Sequence, residues 1–267
     1  MYNLIKFELY KLKKNKAFKI CILLTLFIVF LTIRRFFSST TPSHVLQFVY
    51  KGQEYGFTVN SFKDRMNPQS IEFLNSAFGY ISFIEIMIMF IVGSIFINEY
   101  LKGTIKSIIA YGHERYKIYF SKLIAISVAA GILLGILLLG TVIVSIPIRG
   151  AGSNLSIESI IKILKFVFLV WLIFIAIASI YICIAAIIRN KSLLIGLGMG
   201  YFIFSLLFAG KESLFKYQQH TLLFKLMKIG MNYPNTDTTL NIIFLCLATI
   251  IITAVLGVIT FKKQDIK

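Results

Sequence analysis

Residues 98–122 read NEYLKGTIKSIIAYGHERYKIYFSK, a lysine-rich stretch that lies between two long apolar segments. Gly112 suits the left-handed residue that ends many helices, and Glu114 suits the first turn of a second helix. One helical face before Gly112 carries apolar residues at i, i+4, i+7 and i+8, namely Leu101, Ile105, Ile108 and Ile109. The spacing therefore predicts two helical arms that meet at Gly112.

A connection that only reverses the direction of the chain between two spans needs a handful of residues. The extra length of residues 98–122 therefore predicts a surface that contacts a cytoplasmic partner. The alternative is a solvated charged hairpin without a partner.

The composition indicates an integral membrane protein. Of the 267 residues, 58% are hydrophobic, and the mean hydropathy is +0.83, whereas soluble domains contain roughly 45–50% apolar residues. The net charge of +17 could suggest nucleic acid, but the basic residues flank apolar runs and do not line one soluble face. We therefore expect the basic residues to contact membrane lipid and not nucleic acid.

Six apolar runs are long enough to cross a membrane, which takes about 20 residues. The fold class is therefore an all-α integral membrane protein, with 1–267 as a single transmembrane domain. A cleaved signal peptide is the alternative for the first run, but two arginines follow it instead of a small-residue cleavage site. The predicted spans are 17–33, 73–98, 123–148, 166–188, 192–210 and 238–261.

Basic residues predict the orientation of the six spans. Six spans place both termini on one side of the membrane. The segments outside the spans on that side hold 16 of the 28 Lys and Arg residues, although they are shorter in total than the segments on the other side. Cytoplasmic segments carry the excess of Lys and Arg, so both termini are expected in the cytoplasm. Abundant lysine and isoleucine with little arginine hint at a low-GC bacterium, which makes the bacterial plasma membrane the expected location.

Three segments outside the spans carry predicted structure. In the N-terminal segment, Ile5, Leu9 and Leu12 share a helical face, which favours a helix in the membrane interface over a simple basic flank. The outer loop 34–72 contains turn residues and is expected to form a small ordered cap. Residues 211–230 are predicted to form an amphipathic helix on the outer membrane surface that ends at Gly230.

Glu85 lies near the middle of the second span, where an ionisable side chain should face the interior of the bundle. Three interpretations remain open: a polar contact with a neighbouring helix, a role in lining a transport path, and a proton-coupling site. Gly131 with Gly135, and Gly196 with Gly200, have the spacing that permits close helix packing within or between subunits.

The sequence offers no catalytic or metal-binding pattern. It lacks a phosphate-binding G-x-x-x-x-G-K-[ST] loop, and its histidines, His44, His113 and His220, have no metal-ligand spacing. Three cysteines lie inside apolar runs and are expected to pack as small apolar residues: Cys21, Cys183 and Cys246. The chain is therefore not expected to be an enzyme or to hold a cofactor.

The order of these features resembles the membrane subunits of bacterial ABC exporters of the type-2 permease class. The stretch 98–122 is similar to that family's cytoplasmic connection between helices two and three. The family pattern is an acidic residue, Gly-Thr, a basic residue, Gly, Arg and a closing Lys. These places are filled here by Glu99, Gly103, Thr104, Lys106, Gly112, Arg115 and Lys122.

The resemblance implies that residues 99–122 form a coupling hairpin that docks onto separate cytoplasmic ABC ATPase subunits. ATP and Mg would then bind to those subunits and not to this chain. It also implies pairing with a second permease, as a homodimer or heterodimer, and export of an antibiotic, antimicrobial peptide or other amphipathic substrate. The competing hypotheses are a proton-coupled secondary transporter that uses Glu85 and, less favoured because catalytic pairs are missing, an intramembrane enzyme.

Overall fold

The computed structural model describes residues 1–148, 156–208, 211–231 and 234–263. Helix α1 spans Tyr2–Lys14 and helix α2 spans Lys16–Ser38. Asn15 separates them: its backbone is extended, and its side-chain oxygen accepts a hydrogen bond of 3.2 Å from the Phe18 amide. This N-cap starts the first long apolar helix immediately after the basic one.

A two-stranded antiparallel sheet follows, formed by β1 (Ser43–Tyr50) and β2 (Gln53–Val59). Lys51 and Gly52 form its turn with positive φ angles of 48° and 76°, as tight hairpin turns require. The sequence predicts a cap over 34–72 in an all-α protein, but two β-strands lie in this region, so the all-α prediction is corrected to a mostly helical fold. Lys-Gly is a weaker turn signal than Asn-Gly. The two strands are stabilised by packing on a helix that lies far along the chain, Leu222–Met231.

The remaining elements are helical. Two short π-helical segments, Gly93–Ile97 and Gly135–Leu139, continue α4 into α5 and α7 into α8. The other helices are α3 (Ser70–Phe78), α4 (Ile81–Val92), α5 (Asn98–Leu101), α6 (Thr104–Ala110), α7 (Arg115–Leu134), α8 (Gly140–Ser145), α9 (Ile157–Ile188), α10 (Lys191–Leu207), α11 (Glu212–Gln218), α12 (Leu222–Met231) and α13 (Thr236–Lys263).

Within the described residues, five helical stretches are long and apolar enough to cross a membrane, so the chain is a multi-pass membrane protein. The predicted fifth span, 192–210, corresponds to the shorter apolar helix α10, and its last two residues lie outside the described residues. The count of six spans therefore stays a prediction. The five stretches are Lys16–Ser38, Ile81–Leu101, Arg115–Ser145, Ile157–Ile188 and Thr236–Lys263.

The predicted second span began at residue 73, but the structure breaks the helix after Phe78. A Cβ atom at Gly79 would overlap the Val59 side chain, so the chain passes against β2 at this point. Helix α3 is consequently a separate, buried helix beside the sheet, and the long apolar helix starts only at Ile81.

The predicted helix 211–230 is divided into α11 and α12, and its apolar side packs on protein. Side chains of the sheet and of these two helices form one aromatic cluster, and the backbone of Gly230 lies close to that of Gly56. The sheet therefore buries much of the apolar side of the predicted helix, whereas its location on the outer membrane surface stays a prediction. The cluster contains Phe48, Tyr50, Tyr55, Phe215 and Phe224.

The core of the bundle lies where α4, α7 and α9 meet, while α2 and α13 keep exposed apolar faces suited to lipid. Helix α13 packs along α9 and against α7. At the α7 contact, a Cβ atom on Gly257 would overlap the hydroxyl group of the fully buried Tyr119. Glycine at this position therefore sets how closely the two helices approach.

We predict that Gly257→Ala destabilises the protein by about 1–3 kcal/mol, because an added methyl group overpacks a fixed contact. Thermal unfolding of the detergent-purified protein measures this effect. Gly200→Ala is the matched control, since a Cβ atom at Gly200 meets nothing within 4 Å. Equal stability of the two variants would show that Tyr119 moves aside freely.

Candidate functional site

A buried acidic residue lies on the N-terminal helix. Leu4, Glu8 and Leu12, spaced four residues apart, are the buried residues of α1, which packs against α7. The predicted face of Ile5, Leu9 and Leu12 is displaced from this stripe, since Ile5 and Leu9 are only half-buried. The displacement places a carboxylate, and not only leucines, against the bundle.

Lys122 of α7 meets this carboxylate in the protein interior. Its side chain is fully buried, and its Nζ lies 3.1 Å from Oε1 of Glu8. The same Nζ donates to the carboxylate of Glu99 and lies 3.4 Å from the carbonyl oxygen of Ile95. The closing lysine of the sequence motif is thus paired with both an acid of the motif and an acid of α1.

Lys11 completes the arrangement. Its Nζ lies 2.9 Å from Oε1 of Glu8 and 2.6 Å from Oε1 of Glu99. We call Glu8, Lys11, Glu99 and Lys122 the charge cluster. Its two positive and two negative charges balance, as they must in the interior, where an unpaired ion is costly.

Two glycines set the backbone conformation of the segment between Glu99 and α7. Gly103 has φ 70° and Gly112 has φ 85°, both in the left-handed region that glycine adopts without strain. The conformation predicted for Gly112 is confirmed, whereas the helix break at Gly103 was not predicted. Thr104 Oγ1 donates a 2.9 Å hydrogen bond to the Glu99 carbonyl and so satisfies one carbonyl at the end of α5.

The break at Gly103 divides the predicted apolar stripe. Ile105 is fully buried, and Ile108 and Ile109 are half-buried, so α6 rests on the protein along the predicted face. Leu101 is 68% exposed, because the turn separates it from that face.

Arg115 fastens the other end of the segment. Its guanidinium donates to the carbonyl oxygens of Phe261 and Lys262, at 3.1 and 2.9 Å. These carbonyls lie in the last turn of α13, where helical partners run out. Residues 99–122, which we call the helical hairpin, are therefore held to α1 by the charge cluster and to α13 by Arg115.

The opposite side of the helical hairpin is exposed. We call it the hairpin face, and it consists of Lys102, Lys106, Ser107, Tyr111 and His113. Tyr111 is 85% exposed. Of the seven motif residues, Lys106 is exposed, while Glu99, Arg115 and Lys122 form bonds within the chain.

A cleft of about 470 Å³ lies between α1 and α6, next to the hairpin face. Its apolar walls include Phe7 and Ile108, and its polar rim includes Asn3, Ser107 and His113. This end of the molecule therefore presents basic and aromatic side chains beside an apolar cleft.

A second polar contact lies inside the bundle. Glu85 of α4 is buried, and its Oε1 accepts a 2.8 Å hydrogen bond from the hydroxyl group of Tyr181 on α9. The prediction that Glu85 faces the bundle interior is confirmed. The contact is compatible with all three interpretations given above.

The predicted packing glycines differ in their surroundings. At Gly131 a Cβ atom would lie 2.9 Å from Nε1 of Trp171, which itself donates to the carbonyl of Ser127 at 2.9 Å. Open space surrounds the Cβ positions of three others, and Gly198, which was not predicted, approaches Met89 instead. The three open positions are Gly135, Gly196 and Gly200.

The described residues contain no group of three or more His, Cys, Asp or Glu side chains placed to hold a metal ion. The three cysteines, Cys21, Cys183 and Cys246, are buried as predicted.

Sequence reasoning missed Glu8, Lys11 and Tyr181. Glu8 did leave a signal, since it is the only acidic residue among the first 50 and stands among lysines. Lys11 left no signal, because nothing distinguishes it from the other lysines of this basic segment. Tyr181 left none either, because nothing local distinguishes it from the other tyrosines among the 13 in the chain.

A family model described as "ABC-2 family transporter protein" matches residues 4–206 of the chain. The match includes most of α1, the charge cluster and the whole helical hairpin. None of the curated proteins compared with the chain matches it.

We predict that Lys122→Met lowers the free energy of unfolding by about 3–5 kcal/mol, because the buried Glu8 and the partly buried Glu99 then share one lysine. Denaturant unfolding in detergent measures the loss. The exposed Lys13→Met on α1 is the control and should change stability by less than about 0.5 kcal/mol.

Combining Lys122→Met with Glu8→Leu should recover much of the lost stability, because the remaining Lys11 and Glu99 again balance. If Lys122→Met is no more harmful than Lys13→Met, the cluster does not hold α1 to the bundle.

Proposed function

Because the chain belongs to the ABC-2 family of transporter proteins, we propose that it is the membrane subunit of an ATP-driven exporter. Its helical hairpin docks onto a separate ATPase subunit, which binds ATP and Mg. The observation that carries this proposal is the division of the hairpin into two sides. One side is bonded to α1 and α13, and the other is exposed.

The bonded side explains how a movement of the hairpin would reach the bundle. Glu99 and Lys122 tie the hairpin's ends to α1, and Arg115 ties the hairpin to α13. A displacement imposed on α6 is consequently passed to both α1 and α13. A loosely attached loop would absorb the same displacement.

The exposed side defines the chemistry of the partner surface. Lys102 and Lys106 are positively charged, and Tyr111 adds a large amphipathic side chain. Interfaces juxtapose opposite charges and use tyrosine as an anchor. The ATPase surface that receives the hairpin should therefore carry carboxylates around an apolar recess.

The finer points of the proposal rest on the sequence. The basic α1 and hairpin support cytoplasmic termini in a bacterial plasma membrane. A second permease, identical or homologous, would complete the translocation path, and Gly196 and Gly200 on α10 leave room for a close helix contact with it. An antimicrobial, peptide or amphipathic substrate is the class that the family resemblance favours.

We predict that Lys102→Glu with Lys106→Glu weakens ATPase binding tenfold or more, which corresponds to about 1.4 kcal/mol. The physical reason is repulsion between the new carboxylates and an acidic partner surface. Co-purification with the ATPase, and the substrate-stimulated ATP hydrolysis of the complex, measure the effect.

The matched control is Lys211→Glu with Lys216→Glu, which makes the same charge change at the opposite end of the bundle. Both variants should keep the thermal stability of the parent protein. Retention of full binding and hydrolysis by the hairpin variant would refute docking through this face.

A proton-coupled secondary transporter is the second candidate, favoured by the buried Glu85–Tyr181 contact. We predict that Glu85→Gln leaves ATP-driven export largely intact, because the amide oxygen still accepts from Tyr181. The measurement is substrate efflux from proteoliposomes, with ATP or with a proton gradient as the energy source.

Tyr181→Phe is the companion variant, since it removes the hydrogen bond and keeps the carboxyl group. Efflux that needs no ATP and is abolished by Glu85→Gln would favour the second candidate over the first.

A further inference from the structure

A polar cavity of about 790 Å³ lies at the end of the bundle opposite the helical hairpin. The turn of the β-hairpin, helix α12 and the first turns of α13 surround it. Neither the charge cluster nor the hairpin face contributes to it, so it is independent of the proposed docking site.

Two lysines of α12 line this cavity. Lys225 and Lys228 are three residues apart and therefore neighbours on the helix surface. Both are half-buried, while most of the other α12 side chains are buried against the sheet and the bundle. Burial and the adjacent Lys228 lower the pKa of Lys225.

The charges near these lysines are few. Among the side chains that the structure describes, no carboxylate forms an ion pair within 4 Å of either ammonium group. Glu54 of β2 lines the same cavity but forms no ion pair with them. Two half-buried cations without an acidic partner favour an anionic occupant.

Neutral hydrogen-bonding groups complete the lining. Asn235, Thr238 and Asn241 contribute from the start of α13. Gln53 contributes from β2, and because its Oε1 accepts from the Tyr55 hydroxyl at 3.1 Å, its NH₂ group is left to donate. An oxyanion with several acceptor oxygens matches this combination of ammonium and amide donors.

The level of the cavity along α13 indicates where that anion comes from. The residues before Ile242 are mostly polar, and the long apolar run of the helix begins there. The cavity therefore lies where the membrane-spanning part of α13 meets the polar interface. Phosphate groups of lipids occupy this level.

We propose that the cavity between the β-hairpin turn, α12 and α13 binds a phosphate group through Lys225 and Lys228. The phosphate belongs to an anionic phospholipid headgroup or to a soluble phosphate compound. A zwitterionic headgroup fits less well, because its own cation would approach the two lysines.

The test compares two double variants of the full chain, purified in a neutral detergent. Lys225→Gln with Lys228→Gln removes the proposed ligands and keeps polar side chains of similar length. Lys211→Gln with Lys216→Gln is the matched control, because it removes two charges from α11 at the same end of the molecule. The two single variants, Lys225→Gln and Lys228→Gln, serve if the first double variant does not fold.

One arm adds sodium phosphate and compares it with sodium chloride of equal ionic strength. The other arm adds phosphatidylglycerol to the micelles and compares it with phosphatidylcholine. The readout is the midpoint of thermal unfolding. We expect a rise of about 2–4 °C or more in the parent protein and the control, and little or no rise in the cavity variant.

A rise with phosphatidylglycerol alone identifies a lipid headgroup, and a rise with inorganic phosphate identifies a soluble phosphate compound. The proposal is overturned if neither addition stabilises the parent protein. It is equally overturned if the cavity variants keep the same rise as the control.

Discussion

The structure depends on one interaction, the buried charge cluster of Glu8, Lys11, Glu99 and Lys122. Its members come from α1, from the end of the second long helix and from α7, and more than 100 residues separate Glu8 from Lys122. Removing an ion from water costs several kcal/mol, so the fully buried Glu8 and Lys122 must keep their partners, while Lys11 and Glu99 stay partly exposed. Helix α1 therefore cannot leave the bundle without exposing or orphaning a charge, and the hairpin cannot shift without moving α1.

This constraint gives the two sides of the helical hairpin different tasks. The inner side contains Ile105 and the bonded motif residues, and it fixes the position of α6 relative to the bundle. The outer side carries exposed side chains such as Lys106 and Tyr111, which are not part of the buried core. The residues that carry the resemblance therefore include both bonded and exposed side chains, and only the contacts separate the two kinds.

Much of the fold could be predicted from local sequence. The long apolar runs, the inward position of Glu85 and the left-handed conformation of Gly112 follow from composition, burial cost and glycine's conformational freedom. The strands of residues 43–59 could not be predicted in the same way. A two-stranded sheet is marginal alone, and this one is stabilised by α12, which lies far along the chain.

The sequence by itself determined that the chain is a membrane protein and that residues 98–122 form a charged helical segment with a turn at Gly112. Both features come from interactions between near neighbours and from the cost of burying polar groups in lipid. Only the tertiary structure decided which acid neutralises Lys122, which face of α1 is buried and where α6 begins. The physical reason is that electrostatic pairing in the interior acts between residues that are close in space. The spacing of residues along the chain does not indicate which distant charge will be that neighbour.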